Sequence, residues 1–419
     1  MQSKWQWLLS QLTRTLWLRA SLVGLMGVLV ALLALPAQNL ISKPIPFEIG
    51  SNAVDTILQI LATSMLTVTI FSLSVMVSAY NAASSGVTPR ATTLIKQDPT
   101  TQNVLATFLG SFLFSLVGII ALSTNLYGEE GRFILFIATL AVIFWIVIAL
   151  LRWIEHLSEL GRVSNTTNQV EKKVQEALDE RIKVPSLGGH PIKDPGKLPD
   201  NAIEVFVHKL GYVQHVDVTS LAQLSEDNDV EIGVLALPGT LTHPGKSVAW
   251  YIGQLEESCI ETIRNAFTID MERSYDQDPR FGFSVLAEIA SRALSPAVND
   301  PGTAIEVINR LTRLFLAFKG QDAKVEPENI LHDRLHVATL SLQDMLEDGF
   351  LPIARDGAAV LEVQLRLQKA LRTLKENEPG LFSQGVQHIS SLALEYAEKS
   401  DMLEAEKQRL RELVDQIND

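Results

Sequence analysis

A chain of 419 residues exceeds one ordinary domain, and its residues are segregated, with long uncharged runs in the first third and charges crowding the rest. Only seven of the 48 acidic and eight of the 35 basic residues lie before position 160, so the remainder carries 41 acids against 27 bases, which argues against nucleic acid as a partner. The single cysteine, Cys259, excludes an intramolecular disulfide and any cysteine-based metal site, and fits a reducing compartment.

Four stretches can cross a hydrocarbon core of ~30 Å, which takes about 20 mostly apolar helical residues. They run from Leu16 to Ala37, Ile57 to Tyr80, Val104 to Leu126 and Phe133 to Leu151, inside a membrane domain predicted over residues 1–152. The first is preceded by Lys4, Arg14 and Arg19 and ends in "ALPAQ", which loosely resembles a signal-peptide cleavage site. A retained span is favoured by the long leading region, by Trp5, Trp7 and Trp17, which suit a membrane interface, and by leucine at the minus-three position. The short loops place Lys4, Arg14, Arg19, Arg90, Lys96, Arg152, Arg162, Lys172 and Lys173 on one side, against Lys43 and Arg132 on the other. The excess of Lys and Arg predicts that both termini lie in the cytoplasm.

The second stretch is unusually polar. Gln59, Thr63, Thr67, Ser74, Ser78 and Asn81 recur at helical spacing and share one face, which suits either close helix packing or a wet path. The third carries Gly110, Ser111, Ser115 and Gly118, small residues that favour packing or a homo-oligomer. No acid or base falls mid-membrane, which weighs against a proton relay or voltage sensor.

Between the second and third stretches, Thr88 before Pro89 and Asp98 before Pro99 read as helix starts. Arg90 stands at the cytoplasmic mouth of the polar helix, where a guanidinium can hold an anion, a lipid headgroup or a carboxylate such as Asp98.

The fourth stretch is expected to continue as a helical stalk over 153–185, with Leu157, Leu160, Val163, Val170, Val174 and Leu178 at helical intervals, until "VPSLGGHPIKDPGKLPD" ends it. A β-rich subdomain of four or five strands is expected within 186–254, from "IEVFV", "GYVQHVDV", "VEIGVLAL" and "SVAWYI". Residues 255–419 read as mainly helical, with one strand at "DRLHVATLS". The last segment, "DMLEAEKQRLRELVDQIND", is a charged amphipathic helix that suits solvent or a protein partner. The predicted fold class is a multi-pass α-helical membrane domain of four helices plus a cytoplasmic α+β domain with a small β subdomain and a helical remainder.

The densest polar cluster of the soluble part holds Arg273, Gln277, Asp278, Arg292, Asn299 and Asp300. Asp278 before Pro279 and Asp300 before Pro301 repeat the arrangement at Asp98, so both read as helix caps. If the flanking helices bring the cluster together, two helix N-termini with nearby arginines suit a small anionic ligand. His332 and His336 lack a third ligand for zinc, and no nucleophile elbow, phosphate loop, dinucleotide fingerprint or zinc-protease motif is present. No cofactor or metal is expected, and an enzyme is disfavoured.

Three passages, "FSLSVMVSAYNAASSGVTPR", "DPTTQNVLATFLGSFLF" and "ALSPAVNDPGTA", resemble a widespread bacterial family of predicted inner-membrane proteins catalogued as a domain of unknown function. The resemblance covers nearly the whole chain and implies the architecture above without an activity. Its pattern falls here on Phe71, Ser72, Ser84, Ser85, Pro89, Arg90, Asp98, Gln102, Gly110, Gln277, Asp278, Phe281, Gly282, Ser295, Pro296, Asn299, Asp300, Pro301 and Ala304. The expected role is an oligomeric channel or transport-like pore in the lipid bilayer for ions or small solutes, gated by the cytoplasmic domain. The alternative is a non-conducting sensor or scaffold that binds an anionic ligand or a protein partner.

Overall fold

The computed structural model describes residues 3–37, 51–124, 129–192, 194, 196–318 and 329–418. Lys43, used above for sidedness, and Leu126, the expected end of the third stretch, lie outside them. Two compact units are present: Leu8–Ser85 with Thr92–Asn165, and a second that gathers the chain up to Trp7, Gly86–Ala91 and everything from Thr166 on.

The first unit is built on four helices that are long and apolar enough to cross a membrane: α2 (Leu16–Ala37), α3 (Ser51–Gly86), α5 (Pro99–Ser123) and α6 (Glu129–Leu157). Two short helices precede α2 and α5, namely α1 (Lys4–Thr13) and α4 (Pro89–Lys96). Ser3 starts α1 with a reciprocal cap, its hydroxyl accepting from the Gln6 amide while Gln6 Oε1 accepts from the Ser3 amide. Helix α5 is the central one, because its surface alternates bulk with absence of bulk. At Gly110 an added Cβ would lie 3.0 Å from the Val23 carbonyl, and at Gly27 it would lie 2.7 Å from the Gly110 carbonyl, so α2 and α5 meet backbone to backbone. Large residues of α5 join two apolar clusters, Phe114 with Val54, Leu58 and Leu135, and Phe108 with Leu61, Met65, Ile146 and Trp153.

Helix α6 stops at Leu157 instead of running on as a stalk, and α7 (Val163–Lys183) starts after a turn. Gly161 in that turn has φ of 81°, a conformation most side chains resist. Periodicity alone carried the expected helix across this residue.

The second unit is α+β. A five-stranded sheet has the order β1 (His190–Ile192), β8 (Leu335–Ala338), β4 (Glu231–Val234), β6 (Ser247–Ile252), β2 (Ile203–Phe206), with β8 parallel to both its neighbours and the other pairs antiparallel. A three-stranded antiparallel sheet has the order β5 (Leu241–Thr242), β3 (Gly211–Val216), β7 (Phe267–Asp270). The strand expected at "DRLHVATLS" is β8. Alternation within 203–252 accounts for β2, β3, β4 and β6. It did not reveal β1 in the Pro- and Gly-rich stretch, nor β7, which follows helix α9 (Glu257–Ala266) without a turn residue. Helix α8 (Val218–Asp227) lies between β3 and β4, begun by Asp217 as its N-cap.

Six helices complete the unit: α10 (Pro279–Ala293), α11 (Pro301–Phe318), α12 (Leu342–Asp356), α13 (Leu361–Asn377), α14 (Pro379–Glu398) and α15 (Glu404–Asn418). Their core is an aromatic cluster in which Phe315 on α11 touches Phe283 on α10, Phe350 on α12 and Phe382 on α14, at ring-centroid distances of 4.6, 5.5 and 6.3 Å. All four rings are fully buried, the state in which a phenylalanine contributes most.

Candidate functional site

The polar residues of α3 occupy one side of that helix. At about 100° per residue, Gln59, Thr63, Thr67, Ser74, Ser78 and Asn81 fall within an arc of about 100°. All six are exposed. The residues of α3 that are buried, Val54, Leu58, Leu61, Met65, Ser72 and Ala83, fall on the opposite side. The polar face therefore points directly away from the packed interior of its own unit. Its hydroxyls are partly satisfied within the helix, Thr63 donating to the Gln59 carbonyl at 3.0 Å and Thr67 to the Thr63 carbonyl at 2.8 Å. Gln59 donates to Asp55 at 2.7 Å. Ile70 and Val77, both exposed, interrupt the hydroxyls within the same arc.

Arg90 and Asp98, expected together at one mouth, have different partners. Asp98 caps α5 by accepting from the Thr101 amide at 2.7 Å, and His156 at the end of α6 lies 3.0 Å from the same carboxylate oxygen and 3.1 Å from the Thr101 hydroxyl. Burial pushes the Asp98 carboxyl up, but the bonds from His156 and Thr101 outweigh it and hold the group below its ordinary value. Gln102, one helical position on, donates to the carbonyls of Arg14 and Lys96, both at 2.8 Å, so the α1–α2 turn, the end of α4 and the start of α5 are tied together. Arg90 instead pairs with Glu288 on α10 at 2.5 Å, both being in the α+β unit.

That unit brings its own chain segments together at residues 273–278, the loop that leads into α10. Tyr275 donates from its hydroxyl to the Arg90 carbonyl at 3.2 Å and packs its ring on Phe281 at 4.6 Å. Burial, with the Glu288 carboxylate adding to it, pushes the Tyr275 phenol up, so it stays a neutral donor at physiological pH. Asp276 accepts from the Trp7 indole at 3.1 Å, and Trp7 is buried and stacks on His215 at 5.3 Å. Lys4 completes the anchor, its amide donating to Asp217 at 2.8 Å and its ammonium to the Asn265 carbonyl at 2.7 Å. Gln277 accepts from the Val216 amide at 3.3 Å. Asp278 is buried, caps α10 through the Phe281 amide at 3.1 Å and receives Arg273 bidentately at 2.7 and 3.0 Å. Burial pushes its carboxyl up while the Arg273 fork pulls the other way. Two neighbouring residues, Tyr275 and Asp276, thus hold the segment after α3 and the amino-terminal segment before α2.

A family model described as predicted membrane protein (DUF2254) matches residues 13–373. The chain belongs to that family. Among curated relatives, uncharacterized proteins from Mycobacterium bovis and Mycobacterium tuberculosis are each 26% identical over 322 residues, covering 74% of this chain and 60% of theirs. The chain therefore spans about three fifths of the length of these relatives, 60% by the matched share. No solved structure matches the chain at a significant level.

The expected ligand residues and the family-pattern positions beside them separate in space. Arg90, Gln277, Asp278 and Phe281 gather at the loop before α10. Arg292, Asn299 and Asp300 lie at the other end of α10, which at 15 residues is about 22 Å long. There Asp300 caps α11, accepting from the Thr303 amide at 3.1 Å and its hydroxyl at 2.6 Å, and these bonds hold its carboxyl below the ordinary value. Asn299 takes a positive φ of 51° in the exposed turn. The six residues of the expected anionic-ligand cluster are thus divided between the two ends of one helix, with the Arg273 fork occupied by Asp278. Sequence reasoning missed Trp7, His215, Tyr275, Asp276 and Glu288, whose contacts join positions 185 or more residues apart apart from those inside the loop. The aromatic character of Trp7 suggested a membrane interface, whereas its indole is buried in the α+β unit.

Proposed function

We propose that this family member is an oligomeric inner-membrane protein in which α3 from several copies lines a path for ions or small solutes, with the α+β unit on the cytoplasmic side as its gate. The observation that carries this reading is the exposed polar face of α3, directed away from the subunit's own core. A membrane helix turns such a face to lipid, to another copy or to water, and six hydroxyl and amide side chains suit the last two. Ile70 and Val77 in the same arc supply the apolar constriction that gates many narrow pores. Two features support this sidedness. The loops rich in Lys and Arg favour the cytoplasm. The segment up to Trp7 before α2, Gly86–Ala91 at the end of α3 and the chain from Thr166 on also belong to one compact unit, which supports their sharing a side if the four helices span. The loop at 273–278 gives the gate its mechanical link, since it holds chain segments that lead into α2 and follow α3.

Purified protein in liposomes is expected to pass small ions, with Thr67→Leu and Ser74→Leu reducing the flux severalfold while the protein stays folded. No flux of cations or anions from a folded protein under any gating condition, together with a raised melting point in nucleotides or anions, would replace this reading with the non-conducting sensor.

A further inference from the structure

Helix α1 has two unlike faces. Trp7 on one side is 5% exposed and fixed by Asp276 and His215, whereas Trp5, Leu9 and Leu12 on the other are 77%, 59% and 48% exposed. The spacing of five, nine and twelve puts these three within a stripe about 60° wide, roughly opposite Trp7. Among the described residues, nothing covers that stripe.

The chain itself limits what can cover it. Only Arg14 and Thr15 separate α1 from α2, and this link is tight: the Thr15 amide donates to the Leu12 carbonyl at 3.1 Å, and Arg19 Nε donates to the Thr13 carbonyl at 2.6 Å. Leu12 therefore lies within one helical turn of the start of a membrane span whose own exposed side chains begin at Trp17 and continue through Leu22, Leu25, Met26 and Leu29. The apolar stripe of α1 is continuous in sequence with the exposed apolar surface of α2. A helix with an apolar stripe of Trp and Leu, joined by two residues to a span, matches the chemistry of the boundary between headgroups and acyl chains.

We infer that α1 is an in-plane lipid-binding helix, with Trp5, Leu9 and Leu12 seated in the headgroup–acyl boundary of the bilayer. Its opposite face delivers Trp7 to the loop at 273–278, so the same ten-residue helix reads the membrane surface and contacts the loop that holds the segment after α3. This surface is independent of whether α3 lines a path.

The test uses the full chain in liposomes of phosphatidylethanolamine and phosphatidylglycerol, with Cys259→Ser as background and nitroxides at Leu9→Cys, Leu12→Cys and, as a reference to the side of the stripe, Gln6→Cys. Labels at positions 9 and 12 are expected to be several times more accessible to oxygen than to a water-soluble nickel chelate, with the reverse at position 6. The inference is overturned if the chelate reaches positions 9 and 12 as readily as position 6, or if neither reagent reaches them, which would mean that protein covers the stripe. Since labels can disturb a short helix, Trp5→Phe in otherwise unlabelled protein gives a second reading. It is expected to remove a component of tryptophan fluorescence that brominated lipids quench, and unchanged quenching would contradict the lipid contact.

Discussion

Two helices of the membrane unit carry similar ladders of hydroxyls and put them to opposite use. On α5, Thr107, Ser111 and Ser115 donate to the carbonyls four residues before, at 2.8, 2.8 and 2.9 Å, and all three are buried. On α3, Thr63 and Thr67 make the same bonds and are exposed. Local hydrogen bonding does not tell the two apart, because in each the helix satisfies its own hydroxyls. What differs is the company they keep. Gly110 and Gly118 stand in the α5 sequence beside its hydroxyls and allow neighbours to close in, while on α3 the polar arc is shared with the bulkier and exposed Ile60, Ile70 and Val77.

The two helices differ most at Gly110. A Leu there places side-chain atoms against the backbone at Val23, which cannot swing away, and Gly110→Leu is expected to lower stability by about 3 kcal/mol or more. Thermal unfolding in detergent would show it, and an unchanged melting point would mean that α2 and α5 do not meet as described. Ser115→Val is next, with an expected loss of about 2 kcal/mol from overpacking a fully buried position. The matching change on the other ladder, Thr67→Val, is expected to stay within about 0.5 kcal/mol, since it alters an exposed residue. Equal losses at the two positions would remove the distinction between the helices.

At the start of α5, Asp98→Ala is expected to cost about 1–2 kcal/mol through loss of its cap and of the His156 contact. Because the folded carboxyl is held below its ordinary value, its contribution is complete above the unfolded value of about 3.9 and is lost as the pH falls through the lower folded one. Unfolding followed from neutral to acidic pH should therefore show a loss of stability in that acid range that Asp98→Asn flattens. A variant with the wild-type pH profile would assign that loss to other carboxylates. Beyond the end of α3, Tyr275→Phe removes one hydrogen bond to the Arg90 carbonyl and is expected to cost about 1 kcal/mol. On the proposed gating role it shifts flux more than stability, and flux equal to wild type would detach the loop from the gate.

Much of this architecture was legible in sequence wherever the cause is local. The four spans announce themselves by length and lack of charge. Asp98, Asp278 and Asp300 each precede a proline and each accept from the amide three residues on, which the Asp-Pro pairs suggested. The polar face of α3 followed from its spacing. Its exposure did not, because burial depends on which residues of other helices come opposite. Contacts remote in sequence stayed hidden for the same reason. For Arg90 an anion, a lipid headgroup or a carboxylate such as Asp98 was expected, and the carboxylate it meets is the remote Glu288; nothing local ties Trp7 to Asp276. The expected ligand cluster failed to close because proximity in sequence was read as proximity in space, whereas α10 is a rigid rod between its two halves.

The claim that matters most is that the polar arc of α3 faces water rather than lipid. On a Cys259→Ser background, single cysteines at Thr63, Thr67, Ser74 and Ser78 would be treated in sealed liposomes with a membrane-impermeant thiol reagent, alongside cysteines at Leu66 and Leu73, which flank the arc. The account predicts that the four arc positions react severalfold faster than the two flanking ones. Reaction at all six no faster than at the buried positions Leu58 and Leu61 would contradict it.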